Sequence, residues 1–231
     1  MSDNGHFHEG TTLLSISDAS HSKPNSVIAE RPEGTEPLRN VQSRPTFAPK
    51  QNKEVQFPLM PVYEFEGRIP RISPGAYVFP NATVIGDVEI GDKSWIGPGA
   101  VLRGDYGAIR IGNFTAIEDN CVIHARPGER TEIGDHVTIG HSSVIHTGSI
   151  DEWAVIGMKS VVSDFAKVGR WAAVGEGAVV KSKSEIPDNA IAVGIPAKII
   201  GNVDERYKTL WTEYKLNYNT FADRYRKLKQ I

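Results

Sequence analysis

The chain has 231 residues, enough for one substantial hydrophobic core, and 26 Lys and Arg nearly balance 28 Asp and Glu. This balance excludes the basic footprint of a nucleic-acid-binding protein, and no apolar run approaches the roughly 20 residues that span a bilayer. A single cysteine, Cys121, excludes an internal disulfide and is typical of a reducing compartment. No secretory signal is recognisable, so we predict a cytoplasmic protein with neither nucleic-acid nor membrane partners.

Residues 1–60 differ in composition from the rest of the chain. They are rich in Ser, Asn, Glu and Pro, and their apolar residues follow no period. Such a segment buries too little apolar surface to offset the entropy lost on folding. The sequence therefore predicts an extended or disordered N-terminal arm over residues 1–60.

Residues 61–200 contain an internal repeat in which an aliphatic residue recurs at every sixth position. Glycine often follows it, as in Ile96-Gly97 and Ile139-Gly140. A period of six fits neither an α-helix nor a hairpin protein with regularly spaced turns. It fits a coil with three short flat faces, whose aliphatic side chains fill a narrow triangular core. We therefore predict an all-β solenoid, a left-handed parallel β-helix of hexapeptide repeats.

The last segment, residues 201–231, changes period again. Its aromatic and leucine residues between positions 207 and 228 are spaced by three or four, which predicts one amphipathic α-helix of about seven turns. Asp204 and Glu205 suit the positive end of the helix dipole, and several basic residues suit the other end. We expect the aromatic stripe to pack on the β-helix of its own chain or of a neighbouring chain.

Short insertions interrupt the period after Leu102 and after Ile123, and they determine which residues share a repeat position. One coil is three hexapeptides, and Arg103, His124 and His146 are each separated by one coil plus an insertion of three or four residues. Adjacent coils pair as parallel strands about 4.8 Å apart. His124 and His146 are therefore predicted to stack as neighbours, close enough to hold one metal ion.

His141 does not join this column, because it lies five residues before His146 and around a corner of the coil. Three solenoids packed around a three-fold axis would bring it to the histidine pair of the next subunit. Each trimer would then contain three interface sites. Three histidines with an open position form the ligand set of a catalytic zinc, since a structural zinc has a fourth protein ligand. His136, in the middle of its hexapeptide, is expected to face solvent.

Four motifs resemble those of the γ-class carbonic anhydrases: LRGDYG, IEDNCVIH, GHSSVIH and VGIPAK, which begin at residues 102, 117, 140 and 193. The resemblance covers about residues 62–200, and a C-terminal helix is also typical of the family. It implies a homotrimer with Zn²⁺ or Fe²⁺, and Co²⁺ as a substitute, at each interface.

The resemblance also implies roles for individual residues. His124 and His146 would be metal ligands from one chain, and His141 would be the ligand from its neighbour. Arg103 and Asp105 match the family's Arg-x-Asp pair, which forms ion pairs within and across the subunit interface. A structural role is favoured for this pair over direct chemistry.

The activity implied is the reversible hydration of CO₂ to bicarbonate. A metal ion held by three neutral imidazoles keeps its full charge and lowers the pKa of bound water towards about 7, so that hydroxide forms near neutral pH. Glu118 stands where the family commonly has Gln, and Ala116 where it has Asn. A carboxylate at Glu118 would orient the metal-bound water or accept its proton, or would instead raise the pKa of that water.

Two other functions remain open at the level of the sequence. The same β-helix fold hosts CoA-dependent acyltransferases and thioesterases, and fold alone does not decide between functions. Such enzymes generally use one histidine as a base, so the pair His124 and His146 favours the metal site. The second alternative is a catalytically weak, metal-stabilised trimeric scaffold that binds partners through the N-terminal arm.

Overall fold

The computed structural model describes residues 61–229, and the predicted arm over residues 1–60 lies outside them. The described chain winds into seven coils of a parallel β-helix, which confirms the predicted fold. Its strands are β1 (Val62–Tyr63), β2 (Arg71–Ile72), β3 (Tyr77–Val78), β4 (Thr83–Ile90), β5 (Trp95–Ile96), β6 (Val101–Ile111), β7 (Ala116–Ile117), β8 (Val122–His124), β9 (Arg130–Ile133), β10 (Thr138–Ile139), β11 (Val144–His146), β12 (Ser149–Ile150), β13 (Val155–Ile156), β14 (Val161–Val162), β15 (Lys167–Val168), β16 (Ala173–Val174), β17 (Val179–Val180), β18 (Glu185–Ile186), β19 (Ala190–Val193) and β20 (Lys198–Asn202).

The strands stack into three faces, one strand per face in each coil. Face 1 contains β1, β8, β11, β14 and β17; face 2 contains β2, β9, β12, β15 and β18; face 3 contains β3, β5, β7, β10, β13, β16 and β19. The longer strands β4 and β6 bend around the corner from face 1 to face 2. At this bend Gly86 has a φ of +74°, and a Cβ there would lie 2.3 Å from the Gly104 carbonyl oxygen, so the bend requires glycine.

The core is the column of inward-facing aliphatic side chains that the period of six predicts. These side chains are buried on all three faces, and the alternation of buried and partly exposed residues along β4 and β6 follows the two-residue period of a strand. Members of the column include Val84, Ile96, Leu102, Ile117, Ile123, Ile139, Ile145, Ile156 and Val162, each with 0% exposure.

Each face presents a different row of outward side chains. Face 1 carries a row of valines: Val101, Val122, Val144, Val161 and Val179. Face 2 carries a ladder of largely alternating charge: Arg71, Glu89, Arg110, Glu132, Ser149, Lys167 and Glu185. Its members pair with one another, as Lys167 does with Glu185 at 2.9 Å, so face 2 suits solvent. Within residues 61–229, the C-terminal segment covers face 3, whereas the valine row of face 1 is partly exposed.

The C-terminal segment is helical, as predicted, but it is divided into two helices. Helix α1 (Glu205–Tyr218) and helix α2 (Phe221–Tyr225) are separated at Asn219 and Thr220. The Thr220 hydroxyl donates a hydrogen bond to the Asn217 carbonyl at 2.7 Å, and such bonds let Asn and Thr compete with helical backbone bonding. Within residues 61–229, neither helix has the length and apolar character needed to cross a membrane.

The predicted aromatic stripe divides into two parts. Phe221 and Tyr225 pack edge-on against Trp95 of face 3, with ring centroids 5.6 and 5.1 Å apart. By contrast, Leu210 and Tyr214 of α1 are 45% and 51% exposed. The part of the stripe after the break therefore packs on its own chain, whereas the Leu210 and Tyr214 side chains of α1 are exposed.

Helix α1 is docked on face 3 by a buried lysine. Lys215 is 1% exposed, and its ammonium donates hydrogen bonds to the Thr138 hydroxyl at 3.0 Å, to the Ala154 carbonyl at 3.3 Å and to the His136 carbonyl. Burial lowers the pKa of Lys215 to about 7, against the opposing influence of Glu118. Helix α1 thus meets the sheet through polar bonds, and helix α2 meets it through aromatic packing.

His136 does not face solvent as predicted. Its ring lies between those of Phe114 and Trp153, with centroids at 4.9 and 4.1 Å and nearly parallel planes, and Trp171 continues the stack. These residues occupy the same corner, between faces 2 and 3, on successive coils. Stacking between coils therefore covers the imidazole, and its burial lowers the pKa of His136.

Candidate metal site

His124 and His146 end strands β8 and β11 on face 1, and they are paired in register. Arg103 of β6 pairs with His124 in the same row, which confirms the predicted column. Nδ1 of His124 lies 3.1 Å from Nε2 of His146. Two imidazole nitrogens bound to one tetrahedral zinc, each at about 2.0–2.1 Å, lie roughly 3.3 Å apart. The facing nitrogens lie at hydrogen-bond distance, which is close to the separation of two ligands of a single ion.

Asp105 holds the outer nitrogen of His124. The carboxylate lies 3.0 Å from Nε2 of His124 and accepts a 2.6 Å hydrogen bond from the Arg103 guanidinium. Burial would raise the pKa of Asp105, but the hydrogen bonds from Arg103 and His124 outweigh it, so this pKa lies below its usual value. The Arg-x-Asp pair predicted from the sequence thus reaches the histidine pair directly.

Asp164 holds the outer nitrogen of His146 in the same way, and the sequence did not single it out. Its carboxylate accepts a hydrogen bond from Nδ1 of His146 and another from Arg126 at 2.8 Å. Burial opposes these two bonds, which nevertheless lower the pKa of Asp164. Asp164 lies 18 residues after His146, which is the length of one coil. Counting one coil onward from His146 would therefore have identified it.

The two histidines therefore lie at the centre of one hydrogen-bonded row, from Arg103 and Asp105 at one end to Asp164 and Arg126 at the other. Histidines that bind metal almost always donate their second N–H to a carboxylate, carbonyl or water, which fixes the ring orientation and the tautomer. Here each carboxylate binds one nitrogen of a histidine ring, and the second nitrogen of that ring faces the other histidine. The residues present fit a transition-metal ion bound between the two rings.

His141 lies elsewhere, at the corner between faces 3 and 1, and its side chain is 48% exposed. Its Nε2 lies 2.9 Å from Oε2 of Glu118, and its Nδ1 lies 3.4 Å from Oδ2 of Asp119. The chain thus brings two of the three predicted ligands together and holds the third apart. Among residues 61–229, no group of three or more His, Cys, Asp or Glu is gathered around a common point for a metal ion.

Glu118 follows β7 at this corner and is only 8% exposed. Burial raises the pKa of Glu118, against the opposing effects of His141 and of a hydrogen bond with the Tyr218 hydroxyl. The residue singled out from the sequence therefore lies beside His141.

No family model matches the sequence. Among known proteins, the carnitine operon protein CaiE of Escherichia coli (strain K12) is 37% identical over 146 residues, which cover 63% of this chain and 74% of CaiE. γ Carbonic anhydrase 2, mitochondrial, of Arabidopsis thaliana is 35% identical over 170 residues, which cover 71% of this chain and 60% of that protein. The match to the latter therefore spans less than two thirds of its length.

Two solved structures share the fold over nearly their whole length. A putative acetyltransferase of Bacillus cereus has a TM-score of 0.71 and 31% identity, covering 73% of this chain and 98% of that one. A hexapeptide transferase family protein of Anaplasma phagocytophilum has a TM-score of 0.69 and 31% identity, covering 72% of this chain and 98% of that one. The coils and these likenesses define a hexapeptide-repeat, left-handed β-helix protein.

The chain belongs to the hexapeptide-repeat family that contains the γ-class carbonic anhydrases and CaiE.

Proposed function

We propose that this protein catalyses the metal-dependent, reversible hydration of CO₂ to bicarbonate at sites formed between the subunits of a homotrimer. The observation that carries the proposal is the pair of facing nitrogens of His124 and His146, 3.1 Å apart. A single histidine acting as a base in acyl transfer needs no second histidine in register. The likeness to γ carbonic anhydrase 2 of Arabidopsis thaliana supports the same activity.

The outward rows support a trimer built through face 1. The valine row lies on the same face as His124 and His146, and Val122 is 39% exposed in the single chain. An outward-facing row of β-branched apolar side chains is suited to a subunit interface, whereas the charged ladder of face 2 is suited to water. His141 borders face 1, so three-fold packing would bring it to the histidine pair of the next subunit.

His124, His141 and His146 would hold the ion, with Zn²⁺ as the proposed metal and Fe²⁺ as the alternative, because imidazole ligands suit both. When bound, the ion supplies the Lewis acidity that makes water a nucleophile near neutral pH. Three neutral imidazoles would leave its charge undiminished.

The surrounding residues orient these ligands. Asp105 and Asp164 each accept a hydrogen bond from one ring and fix the direction of its other nitrogen. Arg103 and Arg126 hold the two carboxylates in their ionised form. On this geometry Arg103 and Asp105 are positioning residues, since they act through His124.

The test is to purify the protein anaerobically with zinc or iron, then measure metal per chain and the rate of CO₂ hydration. We expect one ion per chain and hydration that His146→Ala abolishes. His136→Phe is the matched control, because it removes a histidine but keeps a ring between Phe114 and Trp153. One ion per chain with no hydration would contradict the anhydrase and favour the scaffold. Metal-independent acyl transfer or thioester hydrolysis would favour the CoA-dependent acyltransferase or thioesterase.

A further inference from the structure

Thr131 places a hydroxyl group at a core position of the β-helix. On the two preceding coils, Val88 and Ile109 occupy the same position in register, and both are buried apolar side chains. Thr131 is itself 0% exposed. A buried hydroxyl is costly unless it is hydrogen-bonded, and valine would fill nearly the same space without that cost. Packing alone therefore does not explain a threonine at this position.

The Thr131 hydroxyl joins the backbones of the two strands that carry His124 and His146. It donates a hydrogen bond to the His124 carbonyl at 2.6 Å and accepts one from the Thr147 N–H at 2.9 Å. The same N–H also donates to the His124 carbonyl at 3.1 Å. Because Thr147 directly follows His146, one buried hydroxyl ties the ends of β8 and β11 together.

The backbone of Thr147 is strained. Its φ is +49°, in the left-handed region that favours glycine, and within residues 61–229 it is the only β-branched residue with a positive φ. Such a conformation persists only where surrounding contacts impose it, and these positions cluster at functional sites. Here a further hydrogen bond, from the Arg126 N–H to the Thr147 hydroxyl at 2.9 Å, adds to those at the Thr147 N–H. The chain after His146 is therefore held in one position.

A similar hydroxyl lies at a different corner, between faces 2 and 3. Thr115 is 1% exposed, and its hydroxyl donates to the Gly134 carbonyl at 2.7 Å and accepts from the Val137 N–H at 3.1 Å. Buried hydroxyls thus join neighbouring coils at more than one corner. Thr131 differs in its partners, which are the carbonyl of one histidine of the candidate site and the amide that follows the other.

We propose that Thr131 is a positioning residue of the metal site, whose hydroxyl fixes the backbones of His124 and His146 relative to one another. The two aspartates orient the imidazole rings, whereas Thr131 holds the backbone from which both rings extend. Metal ligands must be held within about 0.5 Å of the productive geometry, so the support of the backbone matters as much as that of the rings. The inference rests on the proposed metal-binding function, because Thr131 acts through the two ligands.

The experiment measures the zinc affinity of the full chain by competition with a chromophoric chelator, together with the visible spectrum of the Co²⁺ form and the thermal unfolding midpoint. Thr131→Val removes the hydroxyl but keeps the branched shape. We expect it to weaken zinc binding roughly 10-fold, the lower end of the range for groups that support a metal ligand, and to change the Co²⁺ spectrum.

Two variants separate this role from general destabilisation. Thr131→Ser keeps the hydroxyl and should retain the zinc affinity and the Co²⁺ spectrum of the wild type. Thr115→Val is the matched control, because it removes an equally buried bridging hydroxyl at the other corner. It should bind zinc as the wild type does, even where its unfolding midpoint falls.

Wild-type zinc affinity in Thr131→Val would overturn the inference, and so would an equal loss of affinity in Thr115→Val. A Thr131→Val chain that no longer folds would also contradict it, because the hydroxyl would then serve the fold rather than the site. Weak binding in Thr131→Ser would assign the effect to the methyl group. A wild-type chain that binds no zinc would overturn the proposed function together with this inference. Zinc binding without hydration would contradict the anhydrase and leave the role of Thr131 standing.

Discussion

Nδ1 of His124 and Nε2 of His146 face one another at 3.1 Å across two neighbouring coils. The contact depends on register. The insertions that precede His124 and His146 differ in length, and yet both histidines end strands of face 1 in paired positions. An aspartate binds the outer nitrogen of each ring, so the two inner nitrogens face each other. This relationship makes face 1 the candidate metal surface.

Asp164→Asn tests the support of His146. The amide still fits the space but loses the charge that orients the imidazole and pairs with Arg126, so we expect zinc affinity to fall about 10- to 100-fold. The measurement is competition with a chelator of known affinity. Glu185→Gln, on the exposed ladder of face 2, is the control and should bind zinc as the wild type does. Equal affinity in all three proteins would show that Asp164 does not support the ligand.

Val144→Asp tests the valine row as a subunit interface. A carboxylate in the middle of this row would be buried without a partner, so we expect the trimer to dissociate at micromolar concentration. Sedimentation velocity measures the mass directly. Ser149→Asp places the same charge on face 2, between Glu132 and Lys167, and should leave the trimer intact. A trimeric Val144→Asp protein would place the interface on another surface.

Lys215→Met tests the buried lysine through the pH dependence of stability. Burial lowers the pKa of Lys215 in the folded chain from 10.5 to about 7. Between these values the unfolded chain binds more protons, so the free energy of unfolding rises with pH, by at most about 1.4 kcal/mol per pH unit from this group. Below pH 7 the lysine is charged in both states and contributes no slope.

The measurement is urea unfolding at pH 7, 8 and 9 at one protein concentration. The wild type should gain stability over this interval relative to Lys215→Met, in which the contribution is absent. Lys208→Met is the control, because Lys208 pairs with Glu205 within α1 and should keep the wild-type slope. Equal slopes in the wild type and in Lys215→Met would show that Lys215 titrates at its ordinary pKa.

The sequence predicts the coils and the histidine row well, because every aliphatic at the sixth position must point into one narrow core. Insertions then change the spacing without changing the face, so Arg103, His124 and His146 are placed in one row by counting alone. The same counting identifies Asp164, one coil after His146, once a carboxylate partner is sought for each ring.

Contacts between distant segments are less accessible from the sequence. The spacing of three and four continues through Asn219 and Thr220, so the pattern gives no sign of the break that lets Phe221 dock on Trp95. Lys215 interrupts the aromatic stripe as a charged residue, and its burial is explained by two backbone carbonyls and the Thr138 hydroxyl, which accept its hydrogen bonds. The stacking of His136 likewise depends on rings one coil above and one coil below it.

The central claim is that each metal site takes His124 and His146 from one chain and His141 from the next, and mixing two inactive variants tests it most directly. His124→Ala and His141→Ala proteins are unfolded together, refolded as a mixture, and assayed for bound zinc. Random assembly of a closed ring places an intact pair beside an intact His141 at about one quarter of the interfaces. The account predicts that share of wild-type zinc in the mixture and almost none in either variant alone. A mixture that binds no more zinc than its separate components would contradict the shared site.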